Sequence, residues 1–132
     1  MLIWKKLRKI NDYMNNKIIH ISTESFTAFK FVEPLLNYLD KISNYELEIG
    51  CNTDSFPDAK SFYSELMETA FKIHHLPIER KIKPLKDILS IIKITLFLRR
   101  NKFSIMHTHN SKAGIIGRIS AWLACTPVIF HT

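Results

Sequence analysis

Apolar positions along the chain change rhythm repeatedly between strand and helix spacing. Short β-prone runs occupy residues 17–22 (KIIHIS), 45–51, 71–76, 103–108 and 128–131. Between them the apolar residues recur every three or four positions, the period of a helix with one buried side. Phe29, Val32, Leu35, Leu36 and Leu39 form such a stripe over 26–39. Pro34 lies inside it and predicts a kink, or the start of the main helix. A short helix is read over 59–67. A longer one runs from Pro84, a favourable first-turn residue, to about Arg100. Leu85, Ile88, Leu89, Ile92, Leu96 and Arg99 lie along one side of it, and its basic end suits the negative pole of the helix dipole. A last helix is read over 112–124, closed by Thr126-Pro127. Gly114 and Gly117, three residues apart, offer it a bare surface for close approach to a sheet.

This alternation predicts an α/β fold: a Rossmann-like parallel sheet of about five strands, with helices on both faces and right-handed crossovers. Residues 1–16 stand apart as a basic amphipathic segment. Leu2, Ile3, Leu7, Ile10 and Met14 share one helical face, Lys5, Lys6, Arg8 and Lys9 lie beside it, and Trp4 sits near its edge. Such a helix can lie on an anionic membrane; a merely docked or frayed terminus is the other reading. The domain proper is then residues 17–132.

The chain has 132 residues, enough for one domain. No run reaches the length of a membrane span, and no apolar segment follows the basic start as in a secretory signal. The two cysteines, Cys51 and Cys125, are far apart and read as buried reduced thiols. The net charge is +7. Nine basic residues fall between Lys72 and Lys102 against Glu79 and Asp87. A basic surface suits an anionic partner, although solvated helix faces explain it equally. Basic residues do not interleave with aromatics in a nucleic-acid motif, so nucleic acid is not an expected partner.

The densest chemistry lies at His107-Thr108-His109-Asn110-Ser111-Lys112, between the fourth strand and the helix after it. In an open α/β sheet, ligands gather in the crevice at strand carboxyl ends, where helix amides point outward. His109, Asn110, Ser111 and Lys112 are therefore candidate ligand contacts. Ser22 and Thr23, in a turn after the first strand, are the counterparts there. His107 and His109 share one side of their strand, whereas His74 and His75 face opposite sides. There is no HExxH motif, no Cys/His quartet and no nearby carboxylate, so no metal is expected. P-loop, GxGxxG and nucleophile-elbow patterns are absent, and no catalytic residue is assigned.

The same residues carry a resemblance. HTHNSKAGIIGRISAWLA followed by TPVIFHT, with KIIHISTESFTAFKFVEPLLNYLDK upstream, resembles the amino-terminal domain of family 4 glycosyltransferases of the GT-B fold. The resemblance covers roughly residues 17–132. It implies an acceptor-side domain, for sugar transfer from a nucleotide-sugar to a lipid-linked or polysaccharide precursor. It also implies work at the cytoplasmic face of the membrane. Lys112 would pair with the acceptor's phosphate or carboxylate. In the family the nucleotide-sugar is held mainly by a second domain, which is not present here, so no cofactor is assigned to this chain. Relatives often carry a glycine-rich first loop; Ser22-Thr23-Glu24-Ser25 has none. A truncated enzyme, one subunit of a split transferase with a separate donor-domain partner, and a non-catalytic membrane-peripheral module remain the alternatives, with a two-domain nucleotide-sugar epimerase as a further rival.

Overall fold

A computed structural model describes residues 16–54 and 64–132. The basic segment over 1–14 and most of the helix expected over 59–67 fall outside these residues; 64–67 are helical. Five strands form one parallel sheet: β1 (Lys17–Glu24), β2 (Glu46–Asn52), β3 (Lys72–His75), β4 (Ile105–Thr108) and β5 (Val128–His131). Their order is β3-β2-β1-β4-β5. The predicted α/β class and strand number hold.

The chain leaves β1 through a helical turn, α1 (Ser25–Thr27), a π-helical segment (Ala28–Val32) and α2 (Glu33–Ile42). The π segment sits just before Pro34, which stands in the first turn of α2. Pro34 has no N–H for the carbonyl four residues back, and its ring crowds that carbonyl. The Glu33 N–H reaches back five residues to Ala28 instead. Pro34 therefore begins the main helix, as its position in the stripe suggested.

Side chains alternate along each strand and build a core on each side of the sheet. On one side Ile18, Leu47, Ile49 and Cys51 pack with Ala28, Val32 and Leu36. On the other, Ile19, Ile21 and Met106 pack with α3 (Pro84–Asn101) and α4 (Ser111–Leu123) through Ile94, Leu98, Ala113 and Ile116. β1 is central, so it is buried from Ile18 onward.

Four expectations change in the structure. The apolar side of α3 read from the sequence faces outward: Leu85, Ile88, Leu89, Ile92 and Leu96 are all exposed, while Ser90, Ile94 and Leu98 are buried. Helical spacing is present on both sides of this helix, and the sheet takes the narrower row. Ser22 and Thr23 belong to the strand, not to a turn. β1 continues to Glu24 because the pairing with β2 shifts register between Ile21 and Glu24, and Glu24, not a capping serine, precedes α1. Phe103 comes before β4 rather than in it, as a fully buried core residue. Cys51 is buried as expected, with burial pushing its thiol up to about 12, whereas Cys125 is exposed. Cys125 lies just past α4 in a left-handed conformation, φ 60°, which turns the chain out of the helix.

Candidate functional site

The strand order reverses between β1 and β4, and the segments that leave these strands part toward opposite faces of the sheet. That divergence opens a crevice at their carboxyl ends. Thr23, near the end of β1, donates its hydroxyl to Oδ1 of Asn110 at 2.7 Å and ties the two strand ends together. The ladder runs on for one residue beyond β4, with the His109 N–H donating to the Ile21 carbonyl at 2.8 Å.

Asn110 then turns the chain with φ 66° and ψ 164°, a region that is costly for any residue with a Cβ. As N-cap of α4 it makes no side-chain hydrogen bond to the helix. Its carboxamide is directed to Thr23 instead, so the first turn of α4 has no side-chain cap. Ser111 opens the helix and is exposed.

Two predicted contacts are engaged within the protein. Ser22 is fully buried and gives its hydroxyl to the Glu24 carbonyl at 3.1 Å. Lys112 bonds Asp87 Oδ2 at 2.8 Å and the Lys81 carbonyl at 2.9 Å. Asp87 Oδ2 also accepts the Lys83 N–H, so one carboxylate ties the start of α3 to the start of α4. Thr23, His109 and Asn110 are thus gathered at the crevice, while Ser22 and Lys112 serve the framework beside it.

The glycines of α4 act as their spacing suggested. A Cβ on Gly117 would lie 2.5 Å from Thr108 Cγ2, and one on Gly114 would lie 2.7 Å from the His131 ring nitrogen Nδ1. His131 in turn bonds the Thr108 hydroxyl through Nδ1 at 2.9 Å.

Sequence reasoning missed His20. Parallel pairing sets His20 of β1 directly beside His107 of β4. His20 Nδ1 lies 3.0 Å from His109 Nε2, so one of these nitrogens donates and the other accepts. Burial, then the neighbouring charges of His109 and His107, hold the His20 imidazole down at about 3. Burial first, then His107 and His131, lower His109 to about 4. Burial and His131 lower His107 as well. All three rings are neutral at pH 7. A histidine within KIIHIS and an HxH pair at the end of another strand were visible signals, but only the inter-strand register joins them.

Beside the crevice, at the carboxyl ends of β2 and β3, lies an open cavity of about 780 Å³. Asn52, His75, Arg80, Lys86, Ser90 and Lys93 are among its lining residues. Arg80 reaches Glu24 Oε1 at 3.7 Å and so borders both spaces. Lys83 and Lys86 both pair with Glu79, at 2.6 and 3.0 Å. Among the described residues no helix is long and apolar enough to cross a membrane.

The chain is 32% identical over 104 residues to the Escherichia coli UDP-Gal:alpha-D-GlcNAc-diphosphoundecaprenol alpha-1,3-galactosyltransferase. Its curated homologues are glycosyltransferases. A second one, the capsular polysaccharide biosynthesis glycosyltransferase CapM of Staphylococcus aureus, is 24% identical over 118 residues. These matches take in 75% and 89% of the chain but 27% and 28% of the relatives, so the chain spans about a quarter of the length of each. No family model matches the sequence.

Proposed function

We propose that this chain is the acceptor-side domain of a glycosyltransferase, acting in the transfer of sugar from a nucleotide-sugar to a lipid-linked or polysaccharide precursor. The observation that carries this reading is the Thr23–Asn110 bridge at the point where the strand order reverses. It fixes Asn110, between His109 and Ser111, at the start of α4, whose first turn has no side-chain cap. A helix start with its dipole and outward amides suits the phosphate or carboxylate of an anionic glycan carrier. Two relatives named for a diphosphoundecaprenol-linked substrate and for capsular polysaccharide support that class of acceptor. The basic cavity at the ends of β2 and β3 provides further cationic surface for the same carrier.

In this reading His109, Asn110 and Ser111 touch the acceptor and Thr23 holds Asn110 in place. Lys112 faces Asp87 until an acceptor anion competes for its ammonium. Peripheral work at the cytoplasmic face of the membrane fits an acceptor of this kind, and a separate donor-domain subunit is a partner of the same reading.

The test is calorimetric titration of the full chain with detergent-solubilised polyprenyl-diphosphate-linked N-acetylglucosamine. Vesicles of anionic phospholipid without the glycolipid form the second arm. Saturable glycolipid binding that weakens at least about tenfold in Asn110→Ala, the size of one lost charge-assisted contact, supports the assignment. Equal affinity for the plain vesicles, or affinity unchanged in Asn110→Ala, overturns it in favour of a membrane-peripheral module.

A further inference from the structure

We propose that His20, His107 and His109 together hold a transition-metal ion of the Zn²⁺ class between β1 and β4. One ring nitrogen from each lies within 4.8 Å of the others. Nitrogens about 2.1 Å from a tetrahedral ion stand about 3.4 Å apart, so the widest pair need approach by only about 1.4 Å. His107 and His109 are partly exposed, beside the carboxyl end of β4, and His107, whose Nε2 meets the Thr132 hydroxyl at 2.5 Å, would turn from that contact or offer its other nitrogen.

A second observation is independent of this spacing. His20 is 2% exposed, and its Nε2 has no hydrogen-bond partner among the described residues. Its Nδ1 faces His109, so either tautomer leaves His20 with a buried ring nitrogen that no group of the described residues satisfies. Buried polar atoms of this kind are rare and point to a missing partner. A metal ion is the partner that takes up a bare imidazole lone pair where protein donors are lacking.

The chemistry of the donor set narrows the ion. Three neutral imidazoles with no carboxylate suit Zn²⁺, Co²⁺, Ni²⁺ or Cu²⁺ rather than Mg²⁺ or Ca²⁺, which require oxygen. Imidazole binds metal through the lone pair of its unprotonated form. Three protein ligands leave a fourth position of a tetrahedral ion for water or another oxygen ligand. The ion would join the two strands at the point where the crevice opens. This site stands whether or not the crevice binds a glycan.

The test is titration of the full chain with Co²⁺ at pH 7.5, read by visible absorption, together with Zn²⁺ calorimetry and Mg²⁺ as the negative control. The expected result is one Zn²⁺ per chain and no heat with Mg²⁺. The expected Co²⁺ bands are those of a nitrogen-rich site of four or five ligands. Loss of an outer partner alone weakens metal sites about 10–100-fold, so His107→Asn, which removes a direct ligand at a partly exposed position, is expected to weaken binding at least about tenfold. His75→Asn, which lies outside the cluster, is expected to leave binding unchanged. Absence of stoichiometric Zn²⁺ binding, or a His107→Asn variant within tenfold of the parent, overturns the proposal. His20→Asn is a supporting variant; should it fail to fold by circular dichroism, His107→Asn alone decides.

Discussion

Thr23 and Asn110 stand 87 positions apart in the sequence and are joined by a 2.7 Å hydrogen bond across the point where the strand order reverses. The bond fixes the side chain of a residue whose own backbone is strained, so geometry and chemistry at the crevice depend on one contact. Asn110→Gly relieves that strain, because glycine adopts φ 66° and ψ 164° freely, but also loses the bond, so its net effect is expected to lie near zero. Asn110→Ala retains the strain and loses the bond, and is expected to cost about 1–3 kcal/mol. Urea unfolding of the two variants checks the order; an Ala variant more stable than the Gly variant refutes it.

The two glycines of α4 separate by what they face. Gly117→Ala drives a methyl into Thr108, a buried residue of a central strand, and is expected to destabilise by about 1–3 kcal/mol. Gly114→Ala meets the ring of His131, an exposed side chain that can swing away, and gains helix propensity of up to about 1 kcal/mol. Its net effect is expected to lie near zero. Thermal melts of both proteins distinguish the cases, and equal losses contradict the account.

Stability is expected to fall as the medium is acidified from about pH 6.5 toward 4. His20 takes up a proton near 6.5 when unfolded but only near 3 when folded, so below 6.5 the unfolded state binds more protons. The loss from His20 is about 1.4 kcal/mol per pH unit across this window, and nothing is lost from it above 6.5. Urea midpoints at pH 7.5, 6.5, 5.5 and 5.0 read the slope, which His20→Asn should make shallower, the remainder coming from His109 and His107. A level profile in the parent chain refutes this assignment.

Glu48 lies on the opposite side of the sheet from that cluster, with its side chain 1% exposed. Its carboxylate meets His74 Nε2 at 2.5 Å and Lys17 Nζ at 3.6 Å. Burial raises its proton affinity, yet the His74 hydrogen bond and the charges of Lys17, His74 and Lys72 prevail and lower it. His74→Ala leaves this buried carboxylate with Lys17 as its nearest cation and without its hydrogen bond, and is expected to cost about 1–3 kcal/mol. The double change Glu48→Met with His74→Leu should recover most of that loss by filling the space with apolar groups. Failure of the double variant to exceed His74→Ala in urea midpoint defeats the argument.

Lys112 and Ser111 are adjacent but differ in what they support. Lys112→Met leaves Asp87, a largely covered carboxylate, without its cation and is expected to cost about 1–3 kcal/mol. Ser111→Ala, at an exposed helix start, is expected to change stability by less than about 0.5 kcal/mol. Circular dichroism melts measure both, and an unaltered Lys112→Met protein shows that the ion pair is dispensable.

Much of the fold was legible because each strand lies between helical stripes and each break carries its own punctuation. Pro84 opens α3, Pro34 opens α2, and Gly114 and Gly117 mark the contact of α4 with the sheet. The outward side of α3 was misread because Leu85 to Leu96 matches helical spacing as well as Ile94 and Leu98 do, and periodicity alone does not say which side meets the sheet. The strand assignment of Ser22 and Thr23 depended on a register shift, a property of two strands rather than one. The strand-to-helix junction His109 to Lys112 could be located from the sequence, but the engagement of Lys112 with Asp87 required the packing of two helices. His20 lacked a visible partner because its neighbours, His107 of β4 and His109 just after it, lie 87 and 89 residues downstream.

The pairing of His20 with His107 has a consequence for how the sheet assembles. A slip of one residue between β1 and β4 would invert the parity of one strand and send the two imidazoles to opposite sides. The alignment that brings them together also sets Ile18 beside Ile105 and Ile19 beside Met106. A correctly threaded molecule is therefore distinguishable from a misthreaded one by whether these rings meet, as a chemical signature of alignment carried within the sheet itself.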